Sequence, residues 1–194
     1  MIIHRIKKQG IVMRKFNAVL SVTLLTVFLV HIISGIFNLC GFISGGSIFL
    51  TALTHTMELL AAIHLVIGVK LTANSVIAVK KSGVSYFKEN KIFWIRRISG
   101  AAVIFFIVCH VIIFTKKNDT AFRLNYFGAV QLVSQILMVL SVAVHVLTNI
   151  KPLMLSLGIS RYKSFITDIL AVLSVILLLS GVGFTVYYFR WTFI

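Results

Sequence analysis

Between Lys15 and Glu58 the chain runs for 42 residues without an Asp, Glu, Lys or Arg. A helix needs only about 20 mostly apolar residues to cross a hydrocarbon core ~30 Å thick, so this run holds one whole crossing and the start of another. Further uncharged runs cover residues 98–115, 124–150 and 169–189. Charged residues make up 12% of the 194 residues and hydrophobic ones 59%, against about 25% and 45–50% in soluble domains. That balance, with only two cysteines, excludes a soluble enzyme, a disordered tail and a disulfide scaffold. The reading is an all-α integral membrane bundle, a single transmembrane domain over residues 1–194.

Five spans are expected near residues 16–39, 48–69 (running on as helix to 79), 98–115, 126–150 and 169–189. Run length and the lack of period-2 alternation favour helices over a barrel, the two forms that satisfy every backbone group in lipid. The one proline, Pro152, falls just after the fourth span, where a helix can stop or bend without losing interior hydrogen bonds. The first span is too long for the apolar part of a signal peptide and is expected to stay. With the N-terminus inside, 15 Lys and Arg fall on the inner side and four (Lys116, Lys117, Arg123, Arg190) outside. By the positive-inside rule the N-terminus is cytoplasmic and the C-terminus outside. The net charge of +15 is then mostly a cytoplasmic basic surface, suited to anionic lipid headgroups; docking a partner and neutralising an anionic cofactor remain open, and nucleic acid is not expected.

Five of the six histidines, His31, His55, His64, His110 and His145, fall inside these spans, whereas His4 belongs to the basic tail. Ionisable groups at membrane depth are costly, face the bundle interior and mark function by default. A single one can equally be an interhelical hydrogen-bond partner. At a rise of ~1.5 Å per residue, His31 lies ~22 Å and His110 ~20 Å from the inner edge, while His145 lies ~8 Å from it. His64, six residues before Lys70, is also towards the inner side. Four histidines on four helices therefore sort into an outer pair and an inner pair, the pattern of two stacked bis-histidine metal centres.

Imidazole suits zinc, copper and iron. A zinc site usually completes a tetrahedron, and no third ligand accompanies either pair, whereas iron in a porphyrin needs only two axial ligands. Gly35 and Gly68 each follow a histidine by one turn, where a missing side chain admits a flat macrocycle; ordinary small-residue packing is the alternative. Ser141, one turn before His145, is placed to orient its other ring nitrogen. Cys109–His110 lacks the second cysteine of a C-x-x-C-H motif, Phe106 standing there, so the haem would be b-type.

The stretch RRISGAAVIFFIVCH, Arg96 to His110, and HVLTNIKPLMLSLGIS from His145, together with FLVH ending at His31 and His64-x-x-x-Gly68, resemble the five-helix dihaem cytochrome b anchors of succinate:quinone oxidoreductases and fumarate reductases. The resemblance covers most of the chain. It implies two haem b groups, the proximal one on His64 and His145 and the distal one on His31 and His110. It also implies that Arg96, Arg97 and Lys151 face proximal propionates. Electrons would pass between a menaquinone-type quinone and cytoplasmic flavoprotein and iron–sulfur subunits, making the chain the quinone-reactive membrane subunit of an oxidoreductase in a bacterial cytoplasmic membrane. The link 40–47 departs from that resemblance, being shorter and uncharged where members of that family tend to have a longer segment.

His55 and Glu58, three apart on the second helix, share a face and are the candidates for a quinol and proton site, a carboxylate and an imidazole being able to accept the protons that quinol oxidation releases. A hydrogen-bonded structural pair is the other reading, and His55 is also an alternative ligand. Two further functions compete: a haem-bearing electron conduit for a different reductase without its own quinone site, and a haem-free histidine-dependent transporter. The sixteen phenylalanines and the leucine-rich fifth helix read as scaffold, with Tyr187, Tyr188 and Trp191 as an outer interfacial belt and Phe93 and Trp94 as an inner one.

Overall fold

The computed structural model of the protein describes residues 2–43, 47–82, 91–114, 127–159 and 163–193; apart from short turns at the helix ends these are helical, with no strand among them. Five helices form in chain order: α1 (Ile2–Leu39), α2 (Ile48–Ser82), α3 (Lys91–Phe114), α4 (Ala129–Ser156) and α5 (Lys163–Phe193). Each contains a stretch long and apolar enough to cross a membrane: Val12–Leu39, Ile48–Ala78, Lys91–Phe114, Ala129–Ser156 and Ser164–Phe193. The residues Thr115 and Tyr126, expected to end the third span and start the fourth, lie outside the described residues, as do Lys88, Lys116, Lys117, Arg123 and Arg161.

The helices overrun the uncharged runs. α1 begins at Ile2 and α3 at Lys91, because Lys and Arg are good helix formers and the backbone ladder does not stop where charge begins. Of the stop or bend expected at Pro152, the stop does not occur. α4 continues through it to Ser156, because another helix supplies the hydrogen bond that the proline cannot.

Two helix ends have an identifiable cause. After α1, Phe42 N–H donates to Phe37 O and Gly41 N–H to Asn38 O, both at 2.9 Å. After α4, Ile159 N–H donates to Met154 O at 2.9 Å and Gly158 N–H to Leu155 O at 3.1 Å. Each is a Schellman closure, which needs a left-handed residue; Gly41 and Gly158 supply it, both with φ of 83°. Arg190 on α5 adds a clamp, its Nη1 donating to Leu39 O at 2.7 Å. At the start of α2, Ser47 Oγ accepts from Leu50 N–H at 3.1 Å, an N-cap.

α2 packs on α1, α1 on α5, α5 on α4 and α4 on α3, with a lesser contact between α1 and α4. α5 is thus the middle of the bundle. Its buried residues Leu173, Leu177, Ser180, Phe184 and Tyr187 recur at alternating steps of four and three, a seam suited to near-parallel helix packing. α1 packs on α5 at Gly183, where a Cβ would sit in ordinary contact, 3.7 Å from Ile36 and Leu39 side-chain atoms. Tyr187 is 5% exposed and its ring packs on Phe114, Phe127 and Trp191. It is therefore core rather than interfacial belt, a difference that follows from α5 being enclosed on that face.

Candidate functional site

His64 on α2 and His145 on α4 come together although their helices are not close-packed. Their ring centres are 6.5 Å apart and their planes cross at 78°. Each ring is held through Nδ1. Ser21 Oγ gives its one hydrogen to Asn17 O at 2.7 Å, so towards His64 Nδ1, 3.3 Å away, it accepts. His145 Nδ1 lies 3.3 Å from Arg96 O, and a carbonyl can only accept. Ser99 Oγ stands 3.5 Å from the same nitrogen and donates to Arg96 O at 3.2 Å. Both rings are therefore Nδ1–H tautomers, inferred from their partners, and both direct a lone pair from Nε2.

The same logic applies to His110 on α3. Its Nδ1 is 2.7 Å from Oε1 of Gln135, a residue of α4 that is 0% exposed. The ring is walled by Phe114, with centres 4.9 Å apart, and by Phe184 of α5 at 6.1 Å. His31, half-buried on α1, is close enough to His110 to interact with it electrostatically, and also to Glu58.

His55 Nδ1 and Glu58 Oε2 are 3.0 Å apart, as their spacing on one helix face predicts. Their side chains are 72% and 40% exposed on α2. In water such a pair contributes little. On a helix this apolar it is an ionisable pair directed away from the protein core, which is costly unless something polar meets it.

The remaining candidates divide. A Cβ at Gly35 or Gly68 would meet nothing within 4 Å, so neither glycine is explained by a close helix neighbour. Gly100, which sequence reasoning passed over, is different: a Cβ there would lie 3.1 Å from Cε1 and 3.2 Å from Nδ1 of His145. Ser141 donates to Leu137 O at 2.8 Å; the partners of His145 Nδ1 are Arg96 O and Ser99, across the helix interface rather than along α4. Arg96 directs Nε to Thr148 O at 2.9 Å. Arg97 is half-buried, its guanidinium 4.6 Å over the Phe93 ring, and Lys151 is exposed.

Among the described residues no three His, Cys, Asp or Glu side chains converge; His64 and His145 meet as a pair. Two imidazoles bound to opposite sides of one metal, with metal–nitrogen bonds of about 2.0 Å, have ring centres roughly 6 Å apart. The separation of His64 and His145 and their tautomers fit such a centre. No family model, curated protein or solved structure matches this chain.

Proposed function

We propose that the protein is a dihaem b-type cytochrome of a bacterial cytoplasmic membrane, the anchor and quinone-reactive subunit of an oxidoreductase of the succinate dehydrogenase or fumarate reductase type. The observation that carries the reading is the His64–His145 pair, two Nδ1–H imidazoles 6.5 Å apart on separate helices. His64 and His145 hold one iron, and His31 and His110 the other. Haem bound there supplies one-electron redox chemistry between quinone and a partner's iron–sulfur centres.

The chain's own residues orient, shield and move protons. Ser21 Oγ and Arg96 O hold His64 and His145 with Nε2 basic. Gln135 does so for His110, and Phe114 and Phe184 keep water from that ring. Arg97, beside His145, provides positive charge for a propionate, with Lys151 further out. Glu58 Oε2 and His55 Nδ1 form the proton site for quinol oxidation, close to His31. The N-terminus is cytoplasmic, and the basic ends of the helices meet anionic headgroups and the flavoprotein and iron–sulfur subunits.

Purified full-length chain in detergent should give reduced-minus-oxidised b-haem bands and close to two haems per chain. A colourless but helical and monodisperse preparation overturns the proposal and leaves a haem-free transporter. In the assembled complex, Glu58→Gln should slow quinol turnover by about 10²-fold or more, the usual size of a lost acid–base group, with both haems retained. Unaltered turnover would make the His55–Glu58 pair purely structural.

A further inference from the structure

Pro152 lies inside α4. In a continuous helix the carbonyl of Thr148 would accept from the N–H of residue 152, and proline has none. That carbonyl is instead met from another helix: Arg96 of α3 donates its Nε–H to Thr148 O at 2.9 Å. The main-chain carbonyl of the same Arg96 accepts from His145 Nδ1 at 3.3 Å. Arg96 is thus fastened to α4 at two points less than one turn apart, by its side chain at Thr148 and by its backbone at His145. One turn further along α3, Gly100 leaves just enough room for the imidazole, since a Cβ there would press on Cε1 and Nδ1 at 3.1 and 3.2 Å.

We infer that Pro152 and Arg96 act as a coupled pair of positioning residues for His145. The proline frees a carbonyl, the arginine takes it, and the register this sets between α3 and α4 aims the His145 ring. Neither residue touches the reacting atoms. The physical reason for the coupling is that a carbonyl left without a donor in a helix interface is costly, so Arg96 is held in place by the very bond that Pro152 withholds. What His145 holds rests on the haem proposal; the coupling itself does not.

A double-substitution cycle in the full-length chain tests it, comparing wild type, Pro152→Ala, Arg96→Leu and the combination. Two quantities are read: the midpoint for thermal unfolding in detergent, and the potential and low-temperature EPR g-values of each haem. With Pro152 present, Arg96→Leu should lower the unfolding midpoint and shift the g-values and potential of the haem that His145→Ala removes, leaving the other haem unmoved. In the Pro152→Ala background the main chain at that position supplies an N–H to Thr148 O, and the same change should lose more than half of its effect on both. Equal effects of Arg96→Leu in the two backgrounds overturn the coupling, and unmoved g-values overturn the positioning role. Arg96→Lys, which keeps the charge but has no Nε donor in that place, serves if Arg96→Leu fails to fold. If wild type carries no haem, the proposed function falls, and the unfolding cycle alone still decides the coupling.

Discussion

His64 and His145 meet across helices that are not packed on one another, and their orienting partners are a backbone carbonyl and serine hydroxyls. His110 is set differently, by the side chain of Gln135 and a wall of two phenylalanines, with His31 approaching from α1. A main-chain acceptor cannot be removed by substitution, whereas a side-chain acceptor can. On the His145 side the first pair is therefore proof against loss of its acceptor, and only His64, held by Ser21 Oγ, is open to a side-chain substitution. The second can be tuned one residue at a time.

The strongest way to break this comparison is to delete the proposed haem ligands singly. His64→Ala and His145→Ala should each remove the same one of two haems, and His31→Ala and His110→Ala the other, as read from haem per chain and difference spectra. If His64→Ala and His145→Ala removed different haems, the pairing would be wrong.

Loss of an orienting partner should act more gently. Gln135→Leu is expected to weaken haem binding at the His110 site by about 10–100-fold, typical for a partner that orients a ligand, and to raise its potential, because an imidazole that no longer donates from Nδ1 gives less electron density to iron. Haem titration and a redox titration check this. Ser21→Ala should shift only the other site, and less, since Arg96 O still holds His145.

The smallest effect separates the glycines. In haem-free chain, Gly68→Ala should be neutral or stabilise α2, by at most about 1 kcal/mol from helix propensity, because its Cβ meets nothing within 4 Å. Gly100→Ala should destabilise, its Cβ lying 3.1 Å from the His145 ring. Thermal unfolding of the two variants in detergent gives the signs directly, and a destabilising Gly68→Ala would mean that a helix covers that face.

Much of this was legible beforehand. Long uncharged runs mark five apolar helices, and His55 and Glu58 pair because a helix brings residues three apart to one face. The sorting of four histidines by depth anticipated that His64 and His145 would meet. Other residues were illegible for a common reason. Ser99, Gly100 and the Arg96 carbonyl act on His145 from another helix, and no local spacing reports a register between helices. Gln135 did leave a signal, a polar amide within an apolar run, but its partner 25 positions away did not. Tyr187 read as an interfacial residue because tyrosine favours that place, yet the turn of α5 on which it falls is enclosed by Phe114 and Phe127.

The sequence alone determined that the chain is helical and apolar enough for five crossings, because run length and charge are local quantities. Only the tertiary structure decided which face of each helix is inside. On α5 the buried Leu173, Leu177 and Phe184 and the exposed Val175, Leu178 and Val182 are equally hydrophobic. Where both faces of a helix are apolar, polarity cannot choose between them, and close fit and cross-helix hydrogen bonds make the choice instead.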